Sequence, residues 1–149
     1  MKQFRVAMIG GCFALLLGLV ACNIMPSMSN AGELSALLSG RQEVPPVKGS
    51  GAGTLDAQYN KRTGELSWTI NYGELSGPVT AAHFHGPANP GQNAGVAVPM
   101  LGVLASPIKG LAKLTPAQAD ELLAGKWYVN LHTATNPNGE IRGQVSVKA

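Results

Sequence analysis

Apolar residues recur at every second position through much of this chain, and that period predicts most of its elements. Leu34, Ala36 and Leu38 share one face of a first strand, which ends at Ser39-Gly40. Leu55, Ala57 and Tyr59 repeat the pattern, and Leu66, Trp68, Ile70 and Tyr72 repeat it again between Glu65 and Tyr72. Successive side chains of a strand point to opposite faces, so period two marks half-buried strands. The turn Asn60-Lys61-Arg62-Thr63-Gly64 joins the last two into a hairpin. Val79 to His85, Val96 to Val103 and Ile108 to Leu114 read as three further short strands. Lys126 to Thr133 places Trp127, Val129 and Leu131 on one face and Tyr128, Asn130 and His132 on the other. Asn136-Pro137-Asn138-Gly139 fits a type I turn, with Pro second and Gly fourth. In the strand after it, Ile141, Gly143, Val145 and Val147 take the core side, with Glu140, Arg142 and Gln144 opposite.

Two stretches break the alternation. Arg41 to Val47 contains Pro45 and Pro46, each lacking a ladder donor, so it reads as an extended edge or connector. Around Thr115 the signals are helical. Thr115 is placed as the N-cap, Pro116 at the first helical position and Gln118 to close a capping box. Leu122 and Leu123 supply the apolar side, and Gly125 suits the end of a helix over about 116–124. About eight short strands with one short helix predict an all-β fold, an antiparallel Greek-key-like β-sandwich or flattened barrel.

The N-terminus has a different character. Lys2 and Arg5 precede an uncharged apolar run from Val6 to Val20, the form of a secretion signal and too short for a stable span. It runs into Leu19-Val20-Ala21-Cys22, which resembles a bacterial lipobox, in which the cysteine is acylated and becomes the first residue. The chain then divides into a signal peptide (1–21), a lipidated tether (22–32) and one domain (33–149). Cys22 is then the expected lipidation site and the membrane its partner, against the alternative of an ordinary signal peptide with a chance cysteine. Asn23 after it resembles outer-membrane sorting in a double-membraned bacterium, so the expected location is the cell envelope. Cys12 leaves with the signal, and no thiol pair remains for a disulfide or a thiolate metal site. Without Lys2 and Arg5, the eleven basic residues fall to nine against eight acidic ones, so the domain is near neutral. It lacks the clustered Lys and Arg that nucleic acid requires.

The candidate chemistry lies in three histidines, the whole complement of the chain. His83 and His85 flank Phe84, so they share one strand face, roughly 7 Å apart at the Cα level. His132 sits on the polar face of a later strand. Three imidazoles suit one copper or zinc ion, provided that strand order brings them together. The blander reading is that each ring fixes a loop by bonding backbone carbonyls. Asn130, Glu140 and Arg142 are placed to orient such a site, although Glu140 and Arg142 also read as an ordinary surface ion pair. The loop Gly86 to Gly95 has no periodicity and follows directly on His85; loops of this length in compact domains often carry function. No nucleophile elbow, phosphate loop or His-Glu-x-x-His appears, so catalytic residues are not assigned.

Taken together, three motifs resemble a known family. Leu38-Ser39-Gly40-Arg41-Gln42-Glu43-Val44-Pro45-Pro46-Val47 resembles the opening of a CHRD domain, the module repeated in chordin and found singly in bacterial proteins. Ala82-His83-Phe84-His85-Gly86-Pro87-Ala88 resembles its central motif. Leu123 to Thr133, followed by Pro137 to Val145, resembles its closing half. The resemblance implies an exported, non-catalytic binding module whose ligand is a protein, a glycan or a small molecule. A metal site at His83, His85 and His132 is the alternative. A third reading comes from a more distant likeness to copper-zinc superoxide dismutase, a redox enzyme on a β-sandwich. Three histidines are too few for its two-metal site.

Overall fold

The structure, a computed structural model, describes residues 31–148. The signal peptide, Cys22 and all but the last two residues of the tether lie outside the described residues. Those last two residues, Ala31 and Gly32, already belong to the first strand.

Among the described residues, nine strands and one α-helix follow in order: β1 (Ala31–Ser39), β2 (Ala52–Asn60), β3 (Glu65–Gly73), β4 (Val79–His85), β5 (Val96–Pro99), β6 (Ile108–Lys113), α1 (Pro116–Leu123), β7 (Tyr128–Thr133), β8 (Ile141–Gln144) and β9 (Ser146–Val147). Eight of them form one antiparallel path, β5-β4-β7-β8-β1-β2-β3-β6, and β9 pairs with β1. The path curls into a nearly closed barrel whose two free edges are β5 and β6.

The alternation places the core as expected. Leu34, Ala36 and Leu38 of β1, Leu55, Ala57 and Tyr59 of β2, and Leu66, Trp68 and Ile70 of β3 are all buried. From the other half of the barrel come Phe84 of β4, Val129 and Leu131 of β7, and Trp127 just before it. The halves meet where Trp68 packs edge-to-face on Phe84 with ring centroids 5.2 Å apart. Helix α1 carries the full capping box, Gln118 N–H donating to Thr115 Oγ1 and Thr115 N–H to Gln118 Oε1. Glu121 on this helix accepts from the indole N–H of Trp127 at 3.1 Å, which ties the helix to the core.

Four details differ from the sequence pattern. The strand expected over Val96 to Val103 stops at Pro99, because the chain turns away through Gly102 at a φ of +96°. The connector after β1 opens with a 3-10 turn at Gly40–Gln42. Val147 is 47% exposed, because the last strand breaks at Val145 and its short continuation shifts to pair with β1. Most importantly, β7 and β8 are buried on both faces, so Glu140 and Arg142 are interior residues and no surface ion pair forms.

Gly86 shows how tightly the end of β4 is set. A Cβ there would run into the fully buried indole of Trp127. Gly86→Ala should therefore overpack the core and lower unfolding stability by about 1–3 kcal/mol. Urea denaturation of the two proteins measures it.

Candidate metal centre

Strand order, which spacing alone does not give, brings the histidines together. β4 and β7 are antiparallel neighbours, pairing Ala81 with His132, His83 with Asn130 and His85 with Tyr128. These side chains stand on the face opposite Phe84, Val129 and Leu131. On β8, Arg142 pairs with Asn130 and Gln144 with Tyr128, extending the same polar face by one strand. The β4–β5 ladder shifts register between Phe84 and His85, a bulge of the kind that re-aims a side chain beside a site.

The loop between β4 and β5 lies over this face as a roof. Arg142, only 1% exposed, lays its guanidinium 3.4 Å above the Tyr128 ring centroid. It donates to Gln92 O at 2.5 Å and to Asn93 Oδ1 at 2.9 Å. Tyr128 in turn stacks on His85, with centroids 4.8 Å apart and ring planes 2° from parallel. Its hydroxyl accepts from Ala94 N–H at 3.2 Å. Gln144 Nε2 reaches Ala88 O at 3.0 Å.

Beneath that roof one nitrogen from each of His83, His85 and His132 lies within 4.8 Å of the others. Zinc or copper at 2.0–2.1 Å in tetrahedral geometry holds its ligand nitrogens about 3.3 Å apart, so each ring needs to move by at most about 1 Å.

The hydrogen bonds define which nitrogens are free. A carbonyl only accepts, so His85 Nδ1–H donates to Ala94 O at 3.0 Å, and His132 Nδ1–H donates to Pro137 O at 3.0 Å. In the neutral rings both Nε2 atoms are then bare lone pairs. His85 Nε2 is buried with no hydrogen-bond partner among the described residues. His132 Nε2 accepts from His83 Nδ1–H at 3.1 Å and lies 3.0 Å from Asn130 Oδ1. Burial, followed by the neighbouring His132 and His85, pushes His83 below the ordinary histidine range. Burial also lowers His85, against the opposing pull of its bond to Ala94. Both are therefore held in the neutral form that ligates metal.

A family model described as the CHRD domain matches residues 34–145. The chain belongs to the CHRD domain family. No curated protein and no solved structure matches it, so the likeness to superoxide dismutase stays one of short motifs.

Within this CHRD domain, the three residues read beside the histidines separate. Asn130 touches His132 directly. Glu140 does not reach the rings. It accepts from Ser76 N–H at 2.7 Å and from the hydroxyls of Ser76 and Thr133, bracing the β3–β4 connection. Burial raises its carboxyl, but those donors outweigh burial and hold it below the usual range. Arg142 acts on the roof through Tyr128 and the loop.

The sequence reading missed Glu43 and passed over Tyr128. Glu43 is 5% exposed and lies beside Asn130, with its Oε1 lacking a partner among the described residues. Gly139, at a φ of +123°, makes room for it, because a Cβ there would clash with Glu43 Oε1 and Asn130 Nδ2. A glutamate followed by Val-Pro-Pro gives no periodic signal; only its place in the family motif marks it.

Arg142→Lys keeps the charge but loses the planar fork and the stacking. It should cost about 1.5–3 kcal/mol, the range for hydrogen bonds from a charged donor. Limited proteolysis should cut first within Gly86–Gly95, and the wild-type loop should resist under the same conditions.

Proposed function

We propose that this CHRD domain is a mononuclear copper- or zinc-binding module, with His83, His85 and His132 as its ligands. The observation that carries the reading is His85 Nε2, a buried acceptor without a partner among the described residues, whose ring is fixed by the bond from Nδ1–H to Ala94 O. A bare, buried nitrogen costs desolvation energy with no return unless a cation or donor meets it. The nearby meeting of His132 Nε2 with Asn130 Oδ1 sets two lone pairs against each other, and a cation relieves that repulsion.

Three neutral imidazoles are the donor set of copper and zinc, and at equal geometry copper(II) binds more tightly than zinc. His83 and His132 are only partly buried, so an ion held here keeps an open side toward solvent. The Nδ1–H bonds to Ala94 and Pro137 carbonyls are the outer contacts that normally orient metal-bound imidazoles. Under this reading the module is a binding protein, carried to the envelope by the signal peptide and held there by lipid on Cys22.

Calorimetric titration of the metal-stripped full-length protein with Cu(II), Cu(I) and Zn(II) tests the proposal. At least one ion should bind with a dissociation constant below about 1 µM. Replacing all three histidines by alanine should abolish that binding, with the fold checked by circular dichroism. No binding in the wild type, or equal binding in the triple variant, would sink the reading.

A further inference from the structure

Three neutral rings give a doubly charged ion no compensating charge, and the Arg142 cation stacks on Tyr128 beside the same face. We infer that Glu43 is the counter-charge of the histidine site, acting through Asn130. The inference rests on the metal-binding reading above.

The geometry is a relay of three groups. Asn130 turns Oδ1 toward His132 Nε2 at 3.0 Å, and its Nδ2 lies on the side of the Glu43 carboxyl, both packed against Gly139. The orientation of the amide follows from this contact, since a carboxylate wants the Nδ2 donors. Gly139 closes over both groups. Glu43 has an obvious candidate partner in Arg142, yet the two form no ion pair. The guanidinium is committed to Gln92, Asn93 and the Tyr128 ring. One carboxyl oxygen is left buried beside the site with no partner among the described residues. Between buried charges of opposite sign, salt screens little.

The groups facing Glu43 are few. Arg142 faces it from β8, Asn130 from β7, the Val44 N–H from its own segment, and Gly139 from the β7–β8 turn. Beyond Asn130 stand the histidines. Arg41 shares the rim of the outer pocket at Glu43, a space of about 290 Å³. Burial is the main influence on the carboxyl and raises it to about 7, against the smaller opposing effects of Arg142, Asn130 and Val44. In the metal-free protein near pH 7 it is thus close to half protonated. An ion at the rings stabilises the carboxylate and drives the proton off.

Calorimetry in buffers of different ionisation enthalpy counts the protons released as metal binds to the full-length protein. At pH 7 the wild type should release about half a proton more per ion than Glu43→Gln. Wild-type affinity should rise with pH through about 7, and the variant should lack that rise. Above pH 8 the variant should bind about 10–100-fold more weakly.

A folding defect does not imitate these results. With an unfolded value near 4.5 and a folded value near 7, the wild type loses stability as pH rises between them. Metal-free Glu43→Gln should therefore melt at or above the wild-type temperature at pH 8. Equal proton counts and parallel pH profiles would overturn the role of Glu43 while leaving the metal site standing. No wild-type binding would remove both.

Discussion

The Arg142 guanidinium, buried on the Tyr128 ring, is the contact on which the arrangement around the histidines depends. A charged side chain this deep is costly unless its donors are used. Here the loop between β4 and β5 uses them, through Gln92 O and Asn93 Oδ1. The same loop then supplies Ala94 O to His85 and Ala94 N–H to the Tyr128 hydroxyl. One interior cation thereby holds a ten-residue segment of Gly, Pro, Asn, Ala and Gln against an outer sheet face that would otherwise meet water. The site exists because that face is covered.

Covering is also what separates the legible parts of the fold from the rest. Period two was enough for β1, β2 and β3, whose outer faces are largely open to solvent, and Thr115-Pro116 with Gln118 was enough for α1. The same rule misjudged Glu140 and Arg142. Alternation distinguishes two faces of a strand, but it assumes that the polar one is wet. In β7 and β8 the polar face is a second interior, and nothing in a strand's own residues reports a roof contributed from elsewhere in the chain. The pairing of Ala81 with His132 was equally beyond reach of spacing, since it depends on β4 and β7 becoming neighbours across an intervening crossover. Phe84, by contrast, was fixed to the core by its position between two histidines.

The two readings of the histidines, loop anchors and metal ligands, describe opposite ends of the same rings. His85 and His132 do bond backbone carbonyls, as an anchoring role requires. Yet an imidazole that donates from Nδ1 has only a lone pair to offer at Nε2. Anchoring both rings this way points two acceptors into one small volume beside His83, whose Nδ1–H meets His132 Nε2 while His85 Nε2 has no partner among the described residues. A purely structural pair of histidines would gain by finding a donor for His85 Nε2 as well, and Asn130 beside the rings presents its oxygen to His132.

That choice of atom leads back to Glu43. If Asn130 were turned the other way, its NH2 would satisfy His132 Nε2, and its oxygen would confront the carboxyl of Glu43. A glutamine or leucine in place of Glu43 would remove that obstacle and free Asn130 to donate toward His132, with His85 Nε2 still without a donor among the described residues. Glu43 therefore decides the amide's orientation, which turns an oxygen rather than a donor toward the rings. Each neighbour of the rings, from Gly139 making room for the carboxyl to Arg142 declining to pair with it, preserves a concentration of lone pairs that the fold alone gives no reason to keep.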